Sequence, residues 1–289
     1  MLSFKDRVAA GGRLVFDGGM GVSLFSKGLA LDGCPEVCNL ENPEWIRSVS
    51  SGFKAAGANV LQTNTFGASP LRLSAFGLES RMEEINRRAA EIARAVAGED
   101  VYVSASIGPS AARVSATELY DSYCRQARVL KSCGVDGFII ETMSGVKEAL
   151  AALRAARDTA PELPAVVTLV FKETPDGIRT LRDEPPDECV NALLAEGAAG
   201  VGSNCGAGID SMLRIARELR RITSSPLLIQ PSAGVPSEEN CVLVFPETPE
   251  YFEPRILELL DLGVQWIGGC CGTTPEHIRI IRQAVDRRA

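Results

Sequence analysis

Three cysteines are the residues of this chain best suited to act together. Cys205 lies in Gly202-Ser203-Asn204-Cys205-Gly206, and the adjacent pair lies in Gly268-Gly269-Cys270-Cys271-Gly272. Thiolates are soft ligands, so a converging set of three favours zinc over magnesium or calcium. Three protein ligands with one open position is the form of a catalytic zinc site. The spacing is not that of a zinc finger. On spacing alone three other readings stay open: small apolar core residues, a chance pair, or a strained vicinal disulfide. The remaining cysteines carry less. Cys34 and Cys38 offer two ligands with no matching pair, and a loop role is expected; Cys124, Cys133, Cys189 and Cys241 read as packing or surface residues. The one histidine, His277, excludes a histidine-rich metal site and a serine hydrolase triad, and is expected to be structural or exposed.

What would bring these residues together is a repeated strand and helix unit. Eight short apolar runs follow one another: 14–16, 60–63, 101–104, 137–140, 165–170, 200–203, 227–230 and 265–268. Most are aliphatic or β-branched without alternation, as parallel strands buried on both faces require. Helical spacing appears between them, over about 81–97, 117–132, 187–196 and 209–221. The last helix has a start signal, with Thr274 as N-cap, Pro275 at N1 and Glu276 in the first turn. Gly57, Gly134 and Gly263 are placed to end helices in the left-handed conformation. Eight such units in one chain predict a single-domain α/β fold over 1–289, a closed (β/α)8 TIM barrel; an open doubly wound sheet is the alternative. In a barrel the chemistry sits at the C-terminal strand ends. There the sequence places Asp17-Gly18-Gly19-Met20-Gly21, Asn64-Thr65-Phe66-Gly67, Glu141-Thr142, Asn204-Cys205-Gly206, Pro231-Ser232-Ala233-Gly234 and Cys270-Cys271-Gly272. Cys205 ends the sixth strand and Cys270-Cys271 the eighth, so one metal at the mouth is within reach of all three.

Composition narrows the partners. The chain has 289 residues, 45% hydrophobic and 23% charged, with a net charge of −7. Its arginine clusters, Arg87-Arg88, Arg217-Arg220-Arg221 and Arg287-Arg288, sit among acidic residues or at a terminus and read as solvated helix faces, so no nucleic-acid partner is expected. Charges at Lys5, Asp6 and Arg7 exclude a signal peptide, and no apolar stretch approaches a membrane span, so a cytoplasmic protein with no membrane partner is expected. Nine cysteines in that compartment do not make a disulfide framework. Oligomeric state is not legible.

The segment Gly268–Ile278, reading GGCCGTTPEHI, resembles the zinc signature of the homocysteine S-methyltransferase family. Gly202-Ser203-Asn204-Cys205-Gly206 is similar to the site of that family's third zinc cysteine. Asp17-Gly18-Gly19-Met20-Gly21, Gln62-Thr63-Asn64-Thr65-Phe66 and Ile107-Gly108-Pro109 also match in order, so the resemblance runs from residue 17 to residue 278. It looks closest to the homocysteine-binding domain of cobalamin-dependent methionine synthase. The resemblance implies one zinc per chain on Cys205, Cys270 and Cys271, with homocysteine bound to it as a thiolate. It implies that the amino acid end is held by Asp17, the Gly18 and Gly19 amides, and Glu141. It implies methyl transfer to sulfur, giving methionine, with no histidine base.

The family draws its methyl group from methylcobalamin, betaine or S-methylmethionine. This chain carries no Asp-x-His-x-x-Gly cobalamin motif and lacks the C-terminal extension typical of the betaine enzymes. The reading is therefore a free-standing module that takes the methyl group from methylcobalamin on a separate corrinoid protein. S-methylmethionine or betaine is the alternative donor. The alternative of another class is a non-catalytic zinc-holding or thiol-redox-sensing barrel. One departure concerns the fourth ligand: cobalamin-linked members often read Pro-Asn-Ala-Gly where this chain has Pro231-Ser232-Ala233-Gly234, and serine is a poorer ligand than asparagine.

Overall fold

The computed structural model describes residues 2–206, 208–239 and 242–288; Cys241 lies outside them. Eight parallel strands form its centre: β1 (Leu14–Val15), β2 (Val60–Gln62), β3 (Tyr102–Ile107), β4 (Gly137–Met143), β5 (Ala165–Leu169), β6 (Gly200–Asn204), β7 (Leu227–Gln230) and β8 (Trp266–Ile267). Their hydrogen-bonded order is β1-β8-β7-β6-β5-β4-β3-β2. The sheet returns on itself where Phe16 bridges in parallel to Val60 and the Asp17 N–H donates to the Val60 carbonyl at 3.1 Å. This is the closed barrel, not the open sheet. Two antiparallel hairpins, pairing 171–174 with 177–180 and 237–239 with 242–244, extend the segments after β5 and β7 and were not anticipated. β3 and β4 also run further than their apolar cores, so Ser106, Glu141 and Thr142 belong to strands rather than to the loops beyond them.

The expected helices form over Met82–Ala97, Ala116–Ser132, Pro186–Ala195, Ile209–Ile222 and Pro275–Arg287. Among the described residues, five α-helices begin with proline, at Pro43, Pro70, Pro186, Pro249 and Pro275, where its missing N–H has no bond to lose. Gly57, Gly134 and Gly263 take positive φ of 101°, 73° and 80° at helix ends. The arginine clusters lie largely in surface pairs, such as Arg87 with Glu83, Arg217 with Glu258 and Arg287 with Glu253; Arg220 instead turns inward onto Gln265 and loop carbonyls. No helix among the described residues is long and apolar enough to cross a membrane.

The barrel holds two cores. Outside the sheet, the helices bury a large apolar layer against it. Inside, Leu14, Phe16, Val60, Tyr102, Ile139, Val166, Leu228 and Trp266 fill the lower barrel, plugged from below by Phe4 and Val8 of the first helix. Trp266 demands space, and β6 provides it: a Cβ on Gly200 would lie 2.3 Å from the indole, and one on Gly202 would lie 1.8 Å from the Leu228 carbonyl. Side chains two residues further along these strands, or four in β3, point into the barrel again. There the sequence changes character: Gln62, Ser106, Glu141, Thr168, Asn204 and Gln230 replace the apolar residues, one from each of β2 to β7, and form a polar layer beneath the mouth.

Trp266→Ala would empty the centre of the inner core and orphan the Gly12 carbonyl that its indole N–H reaches at 3.2 Å. We expect a loss of about 3–5 kcal/mol in urea unfolding; a loss below about 1 kcal/mol would contradict this packing.

Candidate metal centre

Cys205 follows Asn204 at the end of β6. Strict alternation would send consecutive side chains to opposite faces of the sheet. Cys205 breaks the alternation by adopting a positive φ of 59°, which costs a residue with a Cβ but turns its thiol to the mouth. Cys270 and Cys271 arrive on the turn after β8. Its backbone is tied down on both sides: the Cys270 N–H donates to the Pro231 carbonyl, and the Cys271 carbonyl accepts from the Ala233 N–H, each at 2.9 Å. The three sulfurs lie within 4.8 Å of one another, with Cys205 and Cys271 3.8 Å apart. They are the one such metal-capable cluster among the described residues.

The electrostatics suit a cation. Cys205 is held far below the ordinary thiol range, to about 3, because the Cys270 and Cys271 thiols donate to it. The same bonds push Cys270 well up and Cys271 up to about 12. One thiolate is thus stabilised by two protons that a divalent ion would displace, and three soft donors beside an open cavity fit zinc. Ser232 is buried, and its hydroxyl helps to lower the pKa of the Cys205 thiol.

The cavity beside the sulfurs has a volume of about 360 Å³. Asp17, Gly18, Gly19, Glu141, Cys205, Cys270 and Cys271 all line it, so the structure gathers every site residue expected from the sequence. The glycines allow the loop after β1 to touch the metal-capable turn: a Cβ on Gly19 would lie 2.5 Å from the Cys270 carbonyl. Glu141 sits on a bulge where β4 slips against β5 between Ile140 and Met143, and the next residue, Thr142, has a positive φ of 58°. The bulge re-aims the carboxylate into the mouth. Burial pushes Glu141 up to about 7 against three donors, namely Gln62 Nε2 at 2.7 Å, Ser106 Oγ at 2.5 Å and Asn204 Nδ2 at 3.0 Å. Burial also raises Asp17 well above the carboxylate range, against a bond from the Gln62 N–H at 2.8 Å. Two desolvated carboxylates in one cavity call for a cationic ligand.

Asn204 was not assigned a role from the sequence, and it links the two halves of the site. Its Oδ1 accepts from the Thr142 N–H and the Thr168 hydroxyl; its Nδ2 donates to Glu141 and Thr142 and lies 3.8 Å from the Cys270 sulfur. Gln62, Ser106 and Gln230 were likewise missed. Their signal is a polar residue at the last inward position of an otherwise apolar strand.

His277 is buried, not exposed. Its Nδ1 accepts from the Thr274 N–H at 3.1 Å, and its Nε2 donates to the Glu247 carbonyl at 3.0 Å. The Glu247 carboxylate in turn accepts from the Ile209 N–H at 2.9 Å. His277 and Glu247 thereby clamp the segment after Cys205 to the segment after Cys271. Cys34 and Cys38 are buried as well; Cys34 hydrogen-bonds to Glu36, and Cys38 opens the short helix Cys38–Glu41 rather than lying in a loop. Cys189 is fully buried, and Cys124 and Cys133 are half-buried.

Comparison with known proteins gives the family and the fold. The family model for homocysteine S-methyltransferase matches residues 14–285. Methionine synthase from Mycobacterium leprae is 29% identical over 300 residues, which cover 95% of this chain and 24% of that protein. Methionine synthase from Mycobacterium tuberculosis is 29% identical over 294 residues, covering 94% of this chain and 24% of its own. The chain thus spans about a quarter of the length of these relatives. Among solved structures, the metallated form of the homocysteine methyltransferase MmuM from Escherichia coli superposes with a TM-score of 0.78 at 22% identity, over 94% of this chain and 96% of that one, a likeness of fold.

Burial lowers the pKa of His277. As pH falls, the unfolded chain therefore takes up this proton before the folded one does, and stability is lost. The stability advantage of the wild type over His277→Gln should be complete above about pH 6.5 and shrink below it. Urea unfolding of both proteins from about pH 8 to about pH 5.5 checks this; a difference independent of pH would contradict the role.

Proposed function

The chain belongs to the homocysteine S-methyltransferase family, and we propose from this that it methylates the thiol of homocysteine, giving methionine. The observation that carries the reading is one cavity shared by three converging thiols and two desolvated carboxylates. A pure metal holder has no use for the carboxylates, and a plain amino acid binder has none for the thiols.

In this reading Cys205, Cys270 and Cys271 hold one zinc ion per chain. When bound, zinc lowers the pKa of a substrate thiol from about 8.5 and supplies a thiolate nucleophile near neutral pH. The protein's own groups do the rest. Asp17 and Glu141 bind the ammonium of homocysteine, whose charge restores both carboxylates to their ionised forms. Gly18 and Gly19 let the backbone approach the substrate carboxylate closely. The Asn204 amide holds Glu141 and Cys270 at a fixed separation, so the amino acid end and the sulfur end of one substrate are positioned together. No side chain needs to act as a general base at the reacting sulfur, consistent with a lone histidine engaged elsewhere.

The barrel over 1–289 is proposed as a single homocysteine-binding domain working in the cytoplasm. For the methyl donor, a separate protein carrying methylcobalamin is favoured by the relatives, methionine synthases of which this chain spans a quarter. S-methylmethionine and betaine are the other candidates.

Glu141→Ala should weaken homocysteine binding about 10- to 100-fold, the worth of a hydrogen bond to a charged group, while leaving zinc content unchanged. Loss of the metal instead would remove Glu141 from the substrate set. In turnover assays, methionine should form with a methylated corrinoid protein and not with S-methylmethionine or betaine. The reverse pattern would overturn the donor assignment and leave the acceptor in place.

A further inference from the structure

The polar layer under the mouth can be audited bond by bond. Buried polar atoms nearly always have partners, so a buried acceptor without one marks a place where a donor is missing. Among the described residues, two such atoms belong to side chains lining the mouth cavity: Asp17 Oδ1 and Gln230 Oε1. Both residues are 2% exposed.

The orientation of the Gln230 amide is fixed by its neighbours. Its Nε2 lies 3.3 Å from the Gly269 carbonyl, which can only accept, and 2.8 Å from Gln62 Oε1. Gln62 is oriented in turn, because its own Nε2 donates to the Glu141 carboxylate. The Gln230 side-chain carbonyl is therefore the free end of a polarised relay that starts at Glu141, and such alignment makes it a better acceptor. Asp17 attaches to the same hub through the Gln62 backbone N–H. Glu141 receives two donors on Oε1 and one on Oε2, which leaves Oε2 able to accept one more. The unmet demand of the pocket is thus for a group with several N–H donors, next to Asp17 and Gln230.

We infer that Gln230 is a specificity-determining residue: its side-chain carbonyl joins Asp17 and Glu141 in receiving the α-ammonium of the thiol substrate, so the pocket selects α-amino thiols over thiols that lack the amine. This rests on the homocysteine reading and adds a residue to it.

The test compares two ligands on two proteins. Homocysteine and 4-mercaptobutyrate share a chain, a thiol and a carboxylate, and differ by the α-amine. Binding of each to the zinc-loaded protein is measured by calorimetry, alongside thermal melting and zinc content. Gln230→Met keeps the side-chain length and removes the carbonyl. It should weaken homocysteine about 10- to 100-fold and leave 4-mercaptobutyrate within about twofold. Equal weakening of both ligands, or no change in homocysteine, would overturn the inference. Gln230→Asn, which withdraws the carbonyl by one methylene without exposing an apolar surface, repeats the test if Gln230→Met does not fold. If the wild type binds homocysteine and both variants keep its preference for homocysteine over 4-mercaptobutyrate, the role of Gln230 alone is overturned. A wild type that binds neither thiol sinks the homocysteine reading with it.

Discussion

A carboxylate buried inside a barrel is the constraint on which the site depends. Glu141 points into a layer where most barrels place branched apolar side chains. Left alone there it would cost several kcal/mol or stay protonated. Donors must therefore come from neighbouring strands, and they do: Gln62 from β2, Ser106 from β3 and Asn204 from β6. These residues need partners in turn, which brings in Thr168 from β5 and Gln230 from β7. One buried charge thus dictates the identity of a whole layer. The apolar plug beneath it, with Trp266 at its centre, closes the barrel below the layer.

The same constraint explains the strained backbone around the mouth. Among the described residues, two of the four non-glycine residues with positive φ are Thr142 and Cys205, each directly after a member of the polar layer. Glu141 and Asn204 use the inward positions of their strands, so the following residue would ordinarily face the helices. The left-handed turn returns the chain to the mouth, at a cost of roughly 1–2 kcal/mol for each residue. At Thr142 the turn completes the β4 bulge, and at Cys205 it delivers a thiol to the sulfur cluster. Strain of this kind is held where a site needs geometry that regular strands cannot give.

How far the sequence revealed this differed by level. The barrel was legible because eight buried strands leave eight apolar runs, and because Gly57, Gly134 and Gly263 mark helix ends that only a left-handed cap explains. The three cysteines were legible because their residue types are rare and fall after strands six and eight. The polar layer was not read as a unit, because Gln62, Ser106, Asn204 and Gln230 are joined by contacts across 35 to 168 residues of sequence, as between Ser106 and Glu141 or Gln62 and Gln230. The hairpin after β5 was hidden because its short strands, 171–174 and 177–180, are of mixed composition; the one after β7 was missed although Val242-Leu243-Val244 is apolar, because its partner strand, 237–239, reads Ser-Glu-Glu. His277 was read as structural or exposed; its burial follows from a tertiary partner, the Glu247 carbonyl, that no local pattern announces.

The central claim is that Cys205, Cys270 and Cys271 hold a zinc ion that takes up the substrate thiol. Zinc content, read together with the X-ray absorption spectrum at the zinc edge, tests it most directly on protein purified under reducing conditions with and without homocysteine. The account predicts about one zinc per chain bound by three sulfurs, rising to four when homocysteine is added. Metal-free protein that takes up no added zinc, with Cys270 and Cys271 oxidised to one another, would contradict it and point instead to thiol redox chemistry at the mouth of the barrel.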